Sequence, residues 1–154
     1  LGLLSGCVDI TQQQTLTQLL TSALPCVSYH QAIIQKQWLK LAINCVINPL
    51  TAINNIDNGQ INEDGYLPTI TALLTEIVTI AKAEGVTLVL AELIKTVAEV
   101  AQATAKNSSS MRCDILAKRQ TEIDYINGYI HKLGIKHVIA TPLNTTMWQT
   151  IKSL

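Results

Sequence analysis

The chain has 154 residues, 48% of them hydrophobic and 14% charged, which predicts one domain with a substantial buried core. Eleven basic and eleven acidic residues cancel, so no basic field is present to attract nucleic acid or an anionic membrane surface. The four cysteines are scattered without a CxxC pair or a Cys/His cluster, which argues against a zinc site or a disulfide framework and favours a reducing, cytoplasmic compartment.

Helical signals begin near the start of the chain. Asp9 and Thr11 are candidate caps for a first helix that continues to about Leu24 and is stopped by Pro25. The short VSY segment that follows fits either a strand or an extended connector.

A long, strongly apolar helix is predicted over residues 31–48. Pro49 has no amide hydrogen and restricts the residue before it, so the helix should kink or restart there and leave the carbonyl of Cys45 without its helical partner. Lys40, Pro49 and the asparagines also interrupt this apolar stretch, so the sequence predicts no membrane span.

Turn-forming residues fill 54–65, which predicts a loop. Pro68 suits the start of the next helix, and Gly85 its end; apolar residues at helical spacing lie between them, at Ile70, Leu73, Leu74, Ile77 and Ala81. Three further helices are predicted over residues 90–101, 121–134 and 141–151. Their expected boundary residues are Thr121 as a cap, Gly134 as a stop, and Thr141 with Pro142 at the last start.

Three polar residues stand out in the otherwise apolar helix. Lys40, Asn44 and Asn48 are four residues apart, so each step advances about 400° and the three side chains share one narrow stripe. One interpretation is a lysine that reaches solvent, with asparagines bonded to neighbouring loops. The other is a pocket wall that presents one cation and two amides to a small polar anion.

Two other features admit a structural and a functional interpretation. Glu122 can simply stabilise the amino end of a helix, as acids in a first turn do. Asn107 and the three serines after it can be a polar linker, or can offer hydroxyl and amide donors to a carboxylate. The sequence has no GxSxG or GxGxxG motif, so neither a nucleophile elbow nor a dinucleotide-binding loop is indicated.

Taken together, four motifs resemble the ketopantoate reductase (2-dehydropantoate 2-reductase) family in order and spacing. They are WLKLAINCVINPLTAI, DNG at 57–59, NSSSM at 107–111 and TEIDYING at 121–128. The resemblance implies an all-α, multi-helix C-terminal domain of the 6-phosphogluconate dehydrogenase C-terminal-like type, with an NADPH-binding Rossmann domain before it. It implies that residues 1–10 are a remnant of the interdomain segment and that 11–154 are the substrate-binding domain, which should be inactive alone.

The same resemblance implies roles for individual residues. Lys40 matches the family's proton donor in the reduction of 2-dehydropantoate to pantoate. Glu122 matches a residue near the cofactor's nicotinamide ribose and the substrate. Four polar residues match positions that bind the substrate: Asn44, Asn48, Asn58 and Ser110.

The chain also departs from the family pattern. Arg112 and Cys113 replace the usual apolar and amide residues, and KRQ at 118–120 replaces a glycine-containing segment. Two alternatives stay open at this point: a stand-alone helical interaction module, and a reductase of another 2-oxo acid. A helical domain without its partner would expose apolar surface that favours self-association, so a homodimer is a further expectation.

Overall fold

The computed structural model describes residues 1–2, 9–24 and 26–154. These residues form two compact units, 1–37 and 38–154. Every regular element described is helical, which confirms the predicted all-α class. The α-helices are α1 (Ile10–Ala23), α2 (Ile33–Asn54), α3 (Leu67–Ala83), α4 (Leu90–Ala103), α5 (Ser110–Leu116), α6 (Asn127–His137) and α7 (Pro142–Ser153). Three short 3-10 helices span Asn58–Asn62, Asp64–Tyr66 and Ile123–Tyr125.

The first unit contains α1 and the beginning of α2. Asp9 occupies the N-cap position of α1, but its side chain makes no capping hydrogen bond, so the predicted cap is wrong in that respect. The predicted stop at Pro25 and most of the predicted remnant at 1–10 lie outside the described residues. Residues 27–29 form no strand, which leaves the extended connector as the correct alternative.

The long helix α2 does not end at Asn48 as predicted. It continues without interruption through Pro49 to Asn54, although proline removes one helical hydrogen bond. The freed carbonyl of Cys45 accepts a hydrogen bond of 3.0 Å from Nδ2 of Asn127 on α6. Because the orphaned acceptor has a partner and the surrounding turns are buried, the helix can pass through the proline.

The core of the second unit is built from α2, α3 and α4 with residues of α6 and α7. The predicted apolar stripe of α3 is buried along its whole length, and Gly85 follows the helix with a φ of 78°, as a glycine stop requires. On α4 the stripe predicted for residues 90–101 is buried at Leu93, Val97 and Ala101. No helix in the described ranges is long and apolar enough to span a membrane.

Two predicted boundaries are wrong. Residues 54–65 are not an irregular loop, because two 3-10 helices lie within or across them. The helix predicted over 121–134 begins only at Asn127 and continues past Gly134 to His137. A Cβ on Gly134 would lie 2.8 Å from the carbonyl oxygen of Ile139. This glycine therefore permits the close return of the chain after α6 and does not end the helix.

The last helix starts at Pro142 as predicted, and Thr141 is at the predicted N-cap position, but its side chain makes no capping bond. Instead, the carboxylate of Glu76 on α3 accepts from the backbone amides of Leu143 (2.8 Å) and Asn144 (3.0 Å). An acid that belongs to another helix thus satisfies the amino end of α7.

Candidate active site

The polar stripe of α2 runs from the surface into the domain. Lys40 is exposed, Asn44 is half-buried, and Asn48 is only 9% exposed. At 1.5 Å per residue, the stripe is about 12 Å long. Most of the apolar residues between these positions are buried (Ala42, Cys45, Val46 and Ile47), and Leu41 and Ile43 are half-buried. The helix therefore presents one cation and two amides along a single line.

None of the three side chains has a protein partner within the described residues. Lys40 takes part in no ion pair there. Neither amide of Asn44 or Asn48 forms a hydrogen bond in that part of the chain, so the interpretation that they bond neighbouring loops is not supported. Unpaired polar groups in one row leave their donors and acceptors for a ligand or water.

The middle of the stripe is fixed from α6. Nδ2 of Asn127 lies 3.0 Å from the Cys45 carbonyl and 2.9 Å from Oδ1 of Asn144 on α7. Cys45 is the residue after Asn44, so this bond sets the position of the stripe relative to α6 and α7. The sequence signal was the carbonyl left free by Pro49, but it did not identify Asn127. Burial raises the pKa of the Cys45 thiol, which is therefore inert.

Asn58 stands at the start of the 3-10 helix that follows α2 and is 8% exposed. Its Nδ2 donates to Oγ1 of Thr104 (3.0 Å), and its backbone amide donates to the carbonyl of Asn107 (3.0 Å). Only Oδ1 has no partner. Asn58 is thus tied to the segment that leads into α5, and its Oδ1 is buried without a hydrogen-bond partner.

Ser110 is the exposed first residue of α5. The buried hydroxyl of Ser109 before it accepts from the backbone amide of Arg112 (3.1 Å) and is joined by a 2.7 Å hydrogen bond to Oγ1 of Thr51. Thr51 lies three residues after Asn48 on α2. The structure therefore places three features on neighbouring elements: the Asn48 end of the stripe, the 3-10 helix Asn58–Asn62 (the Asn58 segment) and the start of α5.

Glu122 is exposed and precedes the Ile123–Tyr125 3-10 helix. It is five residues before the start of α6, so it does not stabilise the amino end of that helix as its structural interpretation required. It forms no ion pair among the described residues. On α6, which follows this segment, Tyr129 contacts the ring of Trp38, with 6.5 Å between centroids. Thus α6 packs on α2 two residues from Lys40, but no described hydrogen bond or ion pair links Glu122 to Lys40.

Asp124, two residues after Glu122, does have hydrogen-bond partners. Asp124 accepts from Nε1 of Trp148 (2.6 Å) and from Nζ of Lys152 (3.2 Å). These two hydrogen bonds, the one from Trp148 first, hold the pKa of Asp124 below its ordinary value. Asp124 anchors this segment to α7, whereas the carboxylate of Glu122 has no ion-pair partner in the ranges that the structure describes. A cavity of about 480 Å³ adjoins the segment and is lined by residues that include Thr121, Ile123 and Lys152.

Comparison with known proteins agrees with this architecture. The family model described as "Ketopantoate reductase PanE/ApbA C terminal" matches residues 32–154. The chain belongs to the ketopantoate reductase family. A 2-dehydropantoate 2-reductase of Vibrio cholerae is 45% identical over 132 residues, which are 86% of this chain and 45% of that protein. One of Pyrobaculum aerophilum is 39% identical over 140 residues, 90% of this chain and 50% of that protein.

Solved structures show the same helical fold. A ketopantoate reductase family protein of Ralstonia eutropha matches with a TM-score of 0.81 at 26% identity, over 91% of this chain and 47% of that chain. A D-mandelate dehydrogenase bound to NADH and anilino(oxo)acetate gives a TM-score of 0.89 at 22% identity, over 99% and 64% of the two chains. This chain spans about half the length of the curated relatives it matches.

Proposed function

We propose that residues 11–154 are the substrate-binding domain of an NADPH-dependent 2-dehydropantoate 2-reductase. Such an enzyme reduces ketopantoate to pantoate on the route to pantothenate and coenzyme A, in the cytoplasm. The observation that carries the proposal is the row of Lys40, Asn44 and Asn48 on α2, whose side chains have no partner within the described residues. The name shared by relatives at 39–45% identity supports it.

Lys40 would act at the carbonyl oxygen of the substrate. NADPH, when bound, supplies a hydride to the ketone carbon, and negative charge then builds on that oxygen. An ammonium beside the oxygen stabilises this charge and delivers the proton that completes the alcohol. Since no carboxylate neutralises Lys40 within the described residues, its charge is available for this purpose.

The amides and the serine suit the rest of the substrate. Asn44 and Asn48 can bond both the hydroxyl and the carboxylate of 2-dehydropantoate without adding a second charge. Oδ1 of Asn58 is buried without a hydrogen-bond partner, and we assign this acceptor to the substrate hydroxyl. Ser110 is exposed at the start of α5, beside the Thr51–Ser109 bond, where its hydroxyl can donate to the carboxylate.

Glu122 is the one residue of this chain that we assign to the cofactor. Its exposed carboxylate has no ion-pair partner in the described part of the chain, and a carboxylate is a suitable acceptor for the hydroxyls of a ribose. We assign the remaining NADPH contacts to a partner Rossmann domain, as the family resemblance implies. A homodimer also remains part of the proposal, and sedimentation of the complete enzyme tests it.

A chimera tests the proposed function. In it, residues 32–154 of this chain replace the matched segment of the Vibrio cholerae relative, and NADPH oxidation is followed with a panel of 2-oxo acids. We expect turnover with 2-dehydropantoate. Turnover only with another 2-oxo acid would show that the substrate is wrong, and no turnover with any would favour a helical interaction module.

Two substitutions in the chimera separate chemistry from binding. Lys40→Ala should lower kcat by roughly 10²-fold or more, because the charge matters most when the carbonyl oxygen becomes anionic. Asn48→Ala removes contacts made in both ground and transition states, so it should chiefly raise KM. Lys95→Ala, on the exposed surface of α4, is the control, and circular dichroism checks folding. A near-normal kcat for Lys40→Ala would leave Glu122 or water as the proton source.

A further inference from the structure

Arg112, which departs from the family pattern, does not have a free side chain. Its Nε donates to Oδ1 of Asn55 (2.9 Å), and its Nη1 donates to Oδ1 of Asp57. Only 18% of the side chain is exposed, whereas 63% of the Arg119 side chain is exposed. The guanidinium is thus committed to two acceptors in the segment that follows α2.

Those two acceptors lie in the turn between α2 and Asn58. Asn55 follows the last residue of α2 in a left-handed conformation with a φ of 53°, and the amide of Ile56 closes the helix end on the carbonyl of Thr51 (3.1 Å). Asp57 precedes the 3-10 helix, and its amide donates to the side chain of Gln60 (3.0 Å). The planar fork of an arginine can hold both residues of this turn at once.

The backbone of Arg112 belongs to α5 and is bonded to the residue before this helix. The backbone amide of Arg112 donates to Oγ of Ser109 (3.1 Å), directly before Ser110. Asn58 is bonded to Asn107 and Thr104 on the amino-terminal side of the serine run. Arg112 adds a second link on the carboxyl-terminal side of the serine run, through Asn55 and Asp57. The residues around Asn58 are therefore bonded to the chain both before and after Ser110.

We propose that Arg112 is a positioning residue that sets the distance between the Asn58 segment and Ser110, the two elements that bind the substrate outside α2. This inference rests on the proposed function. Arg112 acts through Asp57 and Asn55 and does not contact the substrate. Its loss therefore loosens substrate binding and leaves the chemical step and the preference among 2-oxo acids unchanged.

The test uses the chimera described above with Arg112→Leu, Asp57→Asn and the double substitution. Each single variant should raise KM for 2-dehydropantoate roughly 3- to 10-fold, with kcat within about 2-fold. The KM of the double variant should be no higher than that of the single variant with the higher KM, because both substitutions remove the same interaction. Arg112→Lys should restore KM only in part, because a point charge cannot hold both acceptors. Arg119→Leu, which breaks the more exposed pair with Asp114, is the matched control and should leave KM unchanged.

A second measurement does not depend on activity. Amide hydrogen exchange of the 154-residue chain should become faster over residues 55–62 in Arg112→Leu, but not over α3 and not in Arg119→Leu. Unchanged exchange over residues 55–62 would overturn the proposal. So would an active chimera in which Arg112→Leu lowers kcat, leaves KM unchanged or changes the preferred 2-oxo acid. If the chimera without substitutions shows no turnover but amide exchange is faster in Arg112→Leu, the proposed function is refuted. The result would still support the structural role of Arg112 in holding Asn55 and Asp57.

Discussion

The carboxylate of Glu76 connects α3 to the start of α7, and Glu76→Gln should destabilise the chain substantially. Oε1 accepts from the amide of Leu143 (2.8 Å), and Oε2 accepts from the amide (3.0 Å) and Nδ2 (2.8 Å) of Asn144. Glutamine keeps one acceptor oxygen and places an NH₂ where the other was. That NH₂ faces a donor, so at least one of the three hydrogen bonds is lost whichever way the amide is turned.

The size of the effect follows from these bonds. Losing a hydrogen bond to a charged group costs about 1.5–3 kcal/mol, and losing a negative charge at a helix start costs about 0.3–1 kcal/mol. Because Glu76 is half-buried, water can recover part of the loss, so we expect a decrease of about 2–3 kcal/mol in the free energy of unfolding. Asn144 also accepts from Asn127, so the disturbance should extend toward the Cys45 carbonyl.

Urea unfolding followed by circular dichroism measures this free energy. The matched control is Glu92→Gln, an exposed acid in the first turn of α4. It loses only the charge at a helix start, so it should lower stability by no more than about 1 kcal/mol. A Glu76→Gln effect as small as that of the control would show that α7 does not depend on this carboxylate. A changed m-value would instead indicate that the substitution altered the extent of unfolding.

Two further predictions concern a close contact and an ion pair. A Cβ on Gly59 would lie 2.6 Å from Cβ and 2.9 Å from Cα of Ala105, so Gly59→Ala should lower stability by about 1–3 kcal/mol. A Cβ on Gly65 would have no atom within 4 Å, so Gly65→Ala should not lower stability in this way. Equal losses of unfolding free energy for the two variants in urea would contradict this prediction. Hydrogen bonds from His137, and then from Lys136, hold the pKa of Glu84 below its ordinary 4.5. Glu84→Gln should therefore lower the free energy of unfolding above pH 4.5, and this loss should disappear as pH falls through the lowered pKa. If the two chains differ in free energy of unfolding by the same amount at every acidic pH, the prediction is refuted.

Local pattern predicted most of the helices. The buried stripes of α3 and α4, the glycine after α3 and the proline at the start of α7 are all found where the sequence placed them. These features depend on spacing along the chain, and such spacing is visible without a partner. The resemblance to the ketopantoate reductase family is confirmed as well. The site roles of Lys40, Asn48 and Glu122 remain predictions, because contacts within this chain do not test them.

The sequence alone determined that α2 carries one polar stripe and that Pro49 leaves the Cys45 carbonyl unpaired, since both follow from helical geometry and the missing amide hydrogen. The residue that donates to that carbonyl depends on how the helices pack. Its partner, Asn127, lies 82 residues away, and the cap of α7 comes from Glu76, 67 residues before Leu143. Likewise, the late start of α6 and the engagement of Arg112 with Asp57 depend on which segments lie beside each other. Long-range hydrogen bonds of this kind leave no periodic signal, because each depends on the packing of several helices at once.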